Sequence, residues 1–483
     1  PIVYHLFQCF WIAGVPKSAL QFMPSSGATV GQQLVTHDGV DAVILTGGTE
    51  TALTMLAAKP TMNLLAETGG KNATIVTALA DRDLAIKNVL HSAFGHSGQK
   101  CSATSLLILE EEVYHDESFR AALCDAVESL QVGSAWELPS KVGPLIRPPS
   151  GELEQGLKEL ETAESWAVMP RLHVDGNPHL VSPGVKWGVQ PESLTHCTEF
   201  FGPLLGVMCA RNLHEAIDLV NATGYGLTSG LESLDDREIE LWQHGIRAGN
   251  LYINRPTTGA IVLRQPFGGM GKSAVGPGIK AGGPNYVAPL MRFEGTDGRL
   301  VESRLNGNDP NDLGDTGLDD FCELLQKEAN LLASEAELRQ IIDAVQSYEY
   351  WMAEEFDHAH DHFLLVGEDN YRRYLPIGEL HVRVHHEDSL FELCGRVVAS
   401  RTAGCRTIVS SLPDQNSQLV DLLETITHDW AGAIEFVELA DDELAQLVRE
   451  GQVERLRYAC AARVSPLVRN AAAVDGQYIA DVP

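Results

Sequence analysis

The sequence predicts an α/β protein in which parallel strands alternate with helices in two separate regions. Short apolar runs of strand length, such as Val43 to Leu45 and Leu106 to Leu109, stand beside helical patterns. Glycines follow the strand at 40–46 and precede a helix, an order that is typical of parallel sheets that bind nucleotides. The alternation stops at a polar stretch and returns after residue 318. We therefore expect two α/β regions joined by a linker.

In the first region, residues 1–66 are predicted to form two strand–helix units. A helix over Tyr4 to Ala13 ends at Gly14, and a strand over Ala19 to Met23 leads to a glycine-bearing turn and a second helix. The next strand, Val40 to Thr46, is followed by a third helix that begins at Thr49. Residues 67–290 continue the pattern, with predicted helices at 78–94 and 212–222 and predicted strands at 105–114 and 249–256.

Residues 294–318 are polar and rich in Gly, Asp and Asn, which predicts a linker. Beyond it, helices are expected from about residue 319 to 355, followed by strands at 377–385, 406–411 and 433–439 with helices between them. This second region should be a doubly wound module of its own.

Composition excludes several classes of function. The formal net charge of −31 repels phosphate backbones, so we expect no nucleic-acid partner. No apolar run approaches the roughly 18 residues of a spanning helix. The nine cysteines include no Cys-x-x-Cys pair, which favours a reducing compartment, the cytoplasm, over a disulfide framework or a zinc site.

Cys101 is the first candidate for chemistry. It follows the small turn His96-Ser97-Gly98 at the end of an apolar helix, where a thiol can be exposed in a cleft and held as a reactive thiolate. A single cysteine is, however, more often a buried core residue.

Glu67 is the second candidate. It stands before Gly69-Gly70 after an apolar strand, where a carboxylate can move within a cleft and transfer protons. A solvated turn residue is the alternative on this evidence alone.

Three motifs in order give the two candidates their support. They are Glu67-Thr-Gly-Gly-Lys71, Gly98-Gln-Lys-Cys101 and Glu199-Phe-Phe-Gly-Pro203. Their order and spacing resemble the aldehyde dehydrogenases. Residues 249–286 are also similar to the glutamate-semialdehyde dehydrogenases, including the C-terminal half of the bifunctional proline-utilisation enzyme, in the pieces Thr-Thr-Gly-Ala-Ile-Val and Lys-Ala-Gly-Gly-Pro.

The resemblance implies an aldehyde dehydrogenase-like fold, with domains in the following order along the chain. Residues 1–66 would be the second half of a Rossmann-type NAD-binding domain, and residues 67–262 the catalytic domain. Residues 263–293 would return to line the substrate and cofactor sites. After the linker, residues 319–483 would form a second Rossmann-like module, a truncated and noncatalytic copy.

The resemblance also implies a mechanism and a nicotinamide site. Cys101 would attack the aldehyde, NAD⁺ would accept the hydride, and Glu67 would activate water to release the carboxylate. Glu199 would hold the nicotinamide ribose, with Phe201 beside the ring, and Gly48 replaces the serine that most relatives carry. The implied cofactor-binding residues are Gly27, Gly47, Gly48, Thr49, Gly69, Glu199 and Phe201.

Substrate selection is expected from the run that includes residues 258–260. Backbone N–H groups of Gly259 and Ala260 and the hydroxyl of Ser102 would hold the α-carboxylate of L-glutamate-γ-semialdehyde. Phe267 would wall the pocket. Gly259 as a mere flexible turn is the alternative.

The chain departs from the family pattern at its start. The family's Lys-Pro for the adenosine ribose and its oxyanion-hole Asn are absent, so we expect a fragment of a longer polypeptide, with a proline dehydrogenase domain upstream and a homo-oligomeric assembly. A dehydrogenase of another small aldehyde and an inactive fragment or scaffold stay open as alternatives, as does NADP in place of NAD.

One further cluster is assigned no function. His358, His360 and His362 alternate with acidic residues, but the set lacks further ligands at metal spacing. We expect a solvated acidic segment and no metal site.

Overall fold

The computed structural model describes residues 2–261, 264–278, 280–291, 318–329, 332–413 and 417–481. The predicted linker lies outside the described residues except for Leu318, which begins a helix. Within the described part of the chain, no helix is long and apolar enough to cross a membrane.

The helices and strands follow one another in three groups. The first comprises α1 (Ile2–Ile12), α2 (Gln32–Thr36), β1 (Val43–Thr46), α3 (Thr49–Ala58) and β2 (Leu64–Glu67). The second comprises β3 (Asn72–Val76), α4 (Arg82–Phe94), β4 (Thr104–Glu110), α5 (Glu111–Tyr114), α6 (Glu117–Glu128), α7 (Gly151–Lys158), β5 (Ser165–Val168), β6 (Gly184–Trp187), α8 (Leu194–Cys197), β7 (Leu204–Ala210), α9 (Leu213–Ala222), β8 (Tyr225–Gly226), β9 (Thr228–Glu232), α10 (Asp236–Gly245), β10 (Asn250–Ile253), β11 (Met270–Gly271) and β12 (Ala274–Val275). The third comprises α11 (Leu318–Glu328), α12 (Glu335–Trp351), β13 (Glu379–Arg383), α13 (Leu390–Thr402), β14 (Arg406–Ser411), α14 (Gln418–Ile426), β15 (Ile434–Glu438), α15 (Asp441–Arg449), β16 (Arg455–Arg457), α16 (Pro466–Asp475) and β17 (Ile479–Ala480).

The largest sheet has seven strands in the order β10-β9-β3-β4-β7-β6-β5, and only the β5–β6 pair is antiparallel. Its central strand β4 is buried on both faces, since Leu107 and Leu109 enter one core cluster while Leu106 and Ile108 enter the other. A continuous apolar run is what a parallel strand covered by helices on both sides requires. The prediction of a strand at 105–114 is right as far as Glu110, after which the chain turns into the short helix α5.

A smaller sheet carries β1 parallel to β2, with β12 antiparallel on the other side of β2. The return of β12 to this sheet brings the glycine-rich stretch after residue 263 against Glu67. The domain boundaries inferred from sequence stay predictions.

The predicted helix near the N-terminus is confirmed as α1, but the predicted strand at Ala19 to Met23 is wrong. Residues 19–23 form a bend and an extended segment without strand pairing, and β1 is an edge strand in the described sheet. An apolar run becomes a strand only where a neighbouring strand takes its backbone hydrogen bonds. Instead, Phe22 packs its ring against Tyr4 and Phe7 of α1.

The third group confirms the prediction of a second Rossmann-like module. Its five strands are all parallel, in the order β15-β14-β13-β16-β17. In such sheets ligands bind at the carboxyl ends of the strands where the order reverses, here between β13 and β16. That place is occupied by ion pairs: Arg463, after β16, bonds Asp388 at 2.8 Å and Glu392 at 2.7 Å, and Asp388 also bonds the buried Arg396 at 2.5 Å.

The C-terminal module also contacts the first two groups directly. Ala473 of α16 packs with Ala52 and Leu56 of α3 in one small core cluster. Hydrogen bonds join Arg255 to Glu368 at 2.9 Å, Gln265 to Asn370 at 2.9 Å and Asn285 to Tyr374 at 3.1 Å. The module therefore supports the segment that carries the predicted substrate loop.

Candidate active site

A strained turn presents Cys101 at the end of α4. His96 and Ser97 have left-handed backbone angles (φ 52° and 58°), and Gly98 has φ 68°. A Cβ at Gly98 would lie 2.2 Å from the carbonyl oxygen of Gly202, so only glycine allows this approach. The turn thereby brings Cys101 toward the segment that begins at Glu199.

Asn72 fixes the backbone around the thiol. Its Nδ2 donates to the carbonyl oxygens of Cys101 (2.6 Å) and Ala103 (3.0 Å), while its Oδ1 accepts from the N–H of Thr228 at 3.0 Å. One buried amide therefore joins the Cys101 turn to strands β3 and β9. This role of Asn72 was not predicted, although Asn72 directly follows the Glu67 motif in the sequence.

The surroundings of Cys101 favour the neutral thiol. Burial raises the pKa of the thiol, the charges of Glu199 and Glu67 raise it further, and the backbone N–H of Ser102 opposes them. The sequence led us to expect a thiolate. The protein alone does not stabilise one, because two carboxylates lie within electrostatic range of the sulfur.

Glu67 ends β2 in a largely buried position. Burial raises its pKa to about 7, while a hydrogen bond from the backbone of Gly269 and the charge of Lys280 act in the opposite direction. Its Oε2 atom has no hydrogen-bond partner among the described residues. A carboxyl group that titrates near neutral pH is suited to act as a general base.

Glu199 packs directly on the glycines that follow Glu67. Its Oε1 accepts from the N–H of Gly70 at 3.0 Å, and a Cβ at Gly69 would lie 1.7 Å from Oε2. Burial raises the pKa of Glu199, and Lys71 opposes that shift. Phe201 follows with φ 50° and a ring that is 41% exposed. The structure thus gives Gly69 a physical role, which is to leave room for the Glu199 carboxylate.

We predict that Gly69→Ala weakens binding of the nicotinamide cofactor at least tenfold, because the added methyl group must displace the Glu199 carboxylate. Isothermal titration with NAD⁺ measures the change, and a thermal unfolding scan shows whether the fold is kept. Gly95→Ala is the matched control, since a Cβ there meets nothing within 4 Å. Unchanged affinity in Gly69→Ala would contradict the assigned role of Glu199.

The predicted phosphate-side residues lie at the start of α3. Gly48 is the N-cap of that helix, and Gly47 donates its N–H to the carbonyl oxygen of Glu67 at 3.2 Å. The hydroxyl of Thr49 donates to the carbonyl oxygen of Lys272 at 3.0 Å, so it is already engaged. Helix N-termini present N–H groups without intrahelical partners, which fits a pyrophosphate. Gly27 begins a separate exposed helical segment that leads into α2.

The predicted substrate loop directly follows Thr257, which contacts the residue after Cys101. The buried hydroxyl of Thr257 donates to the carbonyl oxygen of Ser102 at 3.0 Å. Gly259 has φ 99°, a conformation that favours glycine, and Ala260 follows it. The hydroxyl of Thr258 is buried and has no hydrogen-bond partner among the described residues, which adds a side-chain candidate to the predicted run 258–260.

Phe267 joins this group through a short backbone pairing. Its N–H donates to the carbonyl oxygen of Ala281 at 2.9 Å, and the next residue, Gly268, lies against Glu67. Phe267 therefore directly precedes the residue that lies against Glu67, and Glu67 lies within electrostatic range of Cys101.

The histidines of the acidic segment are engaged elsewhere. His360 Nε2 lies 2.8 Å from the carbonyl oxygen of Glu355, and His362 Nε2 accepts from Arg372 at 3.1 Å. Nowhere in the described ranges do three or more His, Cys, Asp or Glu side chains form a group that could hold a metal ion.

A thiol, a carboxyl group that titrates near neutral pH and a glycine-rich helix start are the parts of an aldehyde-oxidising site. The model of the aldehyde dehydrogenase family matches residues 1–293, and the chain belongs to that family. It is 34% identical over 299 residues to a 1-pyrroline-5-carboxylate dehydrogenase of Geobacillus kaustophilus, a match that covers 60% of this chain and 57% of that protein. The enzyme of the same name from Bacillus subtilis is 33% identical over 292 residues, which are 59% of this chain and 56% of that protein.

Solved structures give the same result. Proline utilization A from Corynebacterium freiburgense matches 100% of this chain and 43% of its own, with a TM-score of 0.79 and 37% identity. A 1-pyrroline-5-carboxylate dehydrogenase from Thermus with bound NAD matches 60% of this chain and 57% of its own, with a TM-score of 0.56 and 33% identity. The chain thus spans little more than half the length of the 1-pyrroline-5-carboxylate dehydrogenases and less than half of proline utilization A.

Proposed function

We propose that this protein oxidises L-glutamate-γ-semialdehyde, the open form of Δ1-pyrroline-5-carboxylate, to L-glutamate with NAD⁺ in proline breakdown. The observation that carries the proposal is that Glu67 lies within electrostatic range of the Cys101 thiol, while Thr257, beside the 258–260 loop, bonds the carbonyl oxygen of Ser102 at 3.0 Å. The names of the relatives support the same substrate.

In the first step, the thiol proton of Cys101 passes to water and the sulfur bonds to the aldehyde carbon. The carbonyl oxygen becomes an oxyanion, which backbone N–H groups at Cys101 and Ser102 would stabilise. Asn72 keeps these groups in place through its bond to the carbonyl oxygen of Cys101.

When bound beside Cys101, NAD⁺ would supply the acceptor for a hydride. Loss of the hydride leaves the carbon as a thioester on Cys101. Glu199 would hold the ribose hydroxyls, and Phe201 would flank the nicotinamide ring. Gly47 and Gly48 at the start of α3 would take the pyrophosphate. The open space around Gly48 fits a group that approaches the backbone closely.

In the second step, Glu67 takes a proton from water, and the hydroxide adds to the thioester carbon. The sulfur of Cys101 leaves, which releases the carboxylate. A base with a pKa of about 7 is half ionised at neutral pH, so Glu67 can carry out this step in the cytoplasm.

The α-carboxylate of the substrate would be held by the N–H groups of Gly259 and Ala260 and by the hydroxyl of Ser102. The unpartnered hydroxyl of Thr258 supports this assignment, since buried polar groups normally have a partner and a bound carboxylate would supply one. Phe267 would pack against the aliphatic part of the substrate.

We expect kcat/KM for the semialdehyde to exceed that for propanal at least a hundredfold, because propanal lacks the carboxylate that the loop would bind. Equal values for the two aldehydes would favour a dehydrogenase of another small aldehyde. Replacing NAD⁺ with NADP⁺ in the same assay decides the cofactor, and absence of binding to either would favour the scaffold alternative.

We further propose that a proline dehydrogenase supplies the substrate, that the assembly is homo-oligomeric and that it works in the cytoplasm. The support is the similarity to bifunctional proline utilization A.

A further inference from the structure

Lys280 is a charged residue in the segment after β12, and the steps of the proposed reaction assign it no role. Its Nζ donates to the carbonyl oxygens of Gly249 and Gly268 (3.0 Å for Gly268) and to Oδ1 of Asn250 at 3.2 Å. Among the described residues, none of its hydrogen-bond acceptors is a carboxylate. Burying an ammonium group without a carboxylate partner costs free energy, which indicates a specific role for Lys280.

Gly268 lies between Lys280 and Glu67. A Cβ at Gly268 would be 2.9 Å from Oε1 of Glu67 and 2.9 Å from Cα of Lys280. The next residue, Gly269, donates its backbone N–H to the Glu67 carboxyl group. Lys280 therefore holds, through the carbonyl oxygen of Gly268, the same segment that hydrogen-bonds Glu67.

The geometry points to Lys280 as a positioning residue for Glu67: it fixes the segment 267–269 against the carboxyl group and supplies positive charge beside it. This inference rests on the proposed function, which makes Glu67 the base that activates water.

The charges around Glu67 agree with this role. Lys280 faces it from the segment after residue 263, and Cys101 faces it from the turn before β4. Glu199 also acts on Cys101. Of these groups only Lys280 carries positive charge, so its removal makes the ionised form of Glu67 less favourable.

The test is hydrolysis of p-nitrophenyl acetate, which needs no cofactor. The ester acylates the sulfur of Cys101, p-nitrophenolate leaves, and water that has lost a proton to Glu67 then releases acetate. At saturating ester, where hydrolysis of the acyl-enzyme limits turnover, the steady rate plotted against pH reports the ionisation of Glu67.

The acid limb of this profile is the fall in rate at low pH. We expect Lys280→Met to shift it to higher pH by about one unit, the lower end of the pKa shift that a neighbouring opposite charge causes. Lys280→Arg should restore the wild-type limb. Lys272→Met is the matched control, because its ammonium group donates instead to the carbonyl oxygen of Thr223 at 3.2 Å. Its limb should match that of the wild type.

An acid limb that stays in place in Lys280→Met would overturn the inference. Lys280→Gln keeps a donor for the same carbonyl oxygens and replaces the methionine variant if that one unfolds. If neither neutral variant folds, Lys280 is structural and the inference is also overturned. Failure of the proposed function gives a different result. The ester is then hydrolysed with the expected pH shift in Lys280→Met, but the wild-type protein does not oxidise the semialdehyde.

Discussion

Cys101→Ala should abolish NADH formation from the semialdehyde, a loss of at least about 10⁴-fold, as for other catalytic nucleophiles. Without the sulfur, the aldehyde carbon cannot form the tetrahedral adduct from which hydride leaves. Cys101→Ser should be nearly as inactive, because the thiol already ionises reluctantly in this site and a hydroxyl ionises far less readily. NADH absorbance at saturating aldehyde measures both variants.

Cys209→Ala serves as the control for this experiment. Cys209 is an exposed thiol on β7, and the proposed chemistry has no use for it. Cys209→Ala should keep wild-type turnover. NAD⁺ should still bind to Cys101→Ala. Substantial turnover by Cys101→Ala would refute the assignment of the nucleophile and, with it, the proposed reaction.

Glu67→Gln should slow steady turnover by about 10² to 10⁴-fold, the usual contribution of a general base. Acylation of Cys101 can still occur, so a burst of about one NADH per active site should precede the slow phase. In the wild type, the carboxyl group accepts a proton only when it is ionised. With a pKa of about 7, the turnover limited by thioester hydrolysis should fall about tenfold per pH unit below pH 7. That limb should vanish in Glu67→Gln.

A second buried acid provides the control. Burial also raises the pKa of Glu232 to about 7, but its oxygens accept hydrogen bonds from Asn88 at 3.0 and 3.2 Å. Glu232→Gln should therefore leave the acid limb of turnover in place. If the acid limb vanished in Glu232→Gln and stayed in Glu67→Gln, the wrong carboxyl group would have been assigned as the base.

Much of the fold could be predicted because its elements are long and periodic. The run Leu106 to Leu109 lies within β4, and the strands predicted at 377–385, 406–411 and 433–439 contain β13, β14 and β15. The short strands β16 and β17 were not predicted. The strand predicted at Ala19 to Met23 shows the limit. Its formation depends on a partner strand elsewhere, and no local pattern reports whether that partner is present.

The residues of the candidate site that belong to short sequence motifs could be predicted. Glu67, Cys101 and Glu199 stand in such motifs, and the structure brings their neighbourhoods together. The contributions of Asn72 and Lys280 were not predictable, because their partners lie between 12 and 156 positions away in the sequence. The raised pKa of Cys101 likewise depends on carboxylates that only folding brings close.

The ion pairs of Arg463 with Asp388 and Glu392 have a consequence for how many nucleotides one chain can carry. The C-terminal module has the parallel sheet of a nucleotide-binding domain, yet ion-paired side chains of the module itself lie at the end of that sheet where a ligand would bind. An entering pyrophosphate would have to displace two carboxylates whose charge repels it. Saturation titrations should therefore reach a plateau at one dinucleotide per polypeptide.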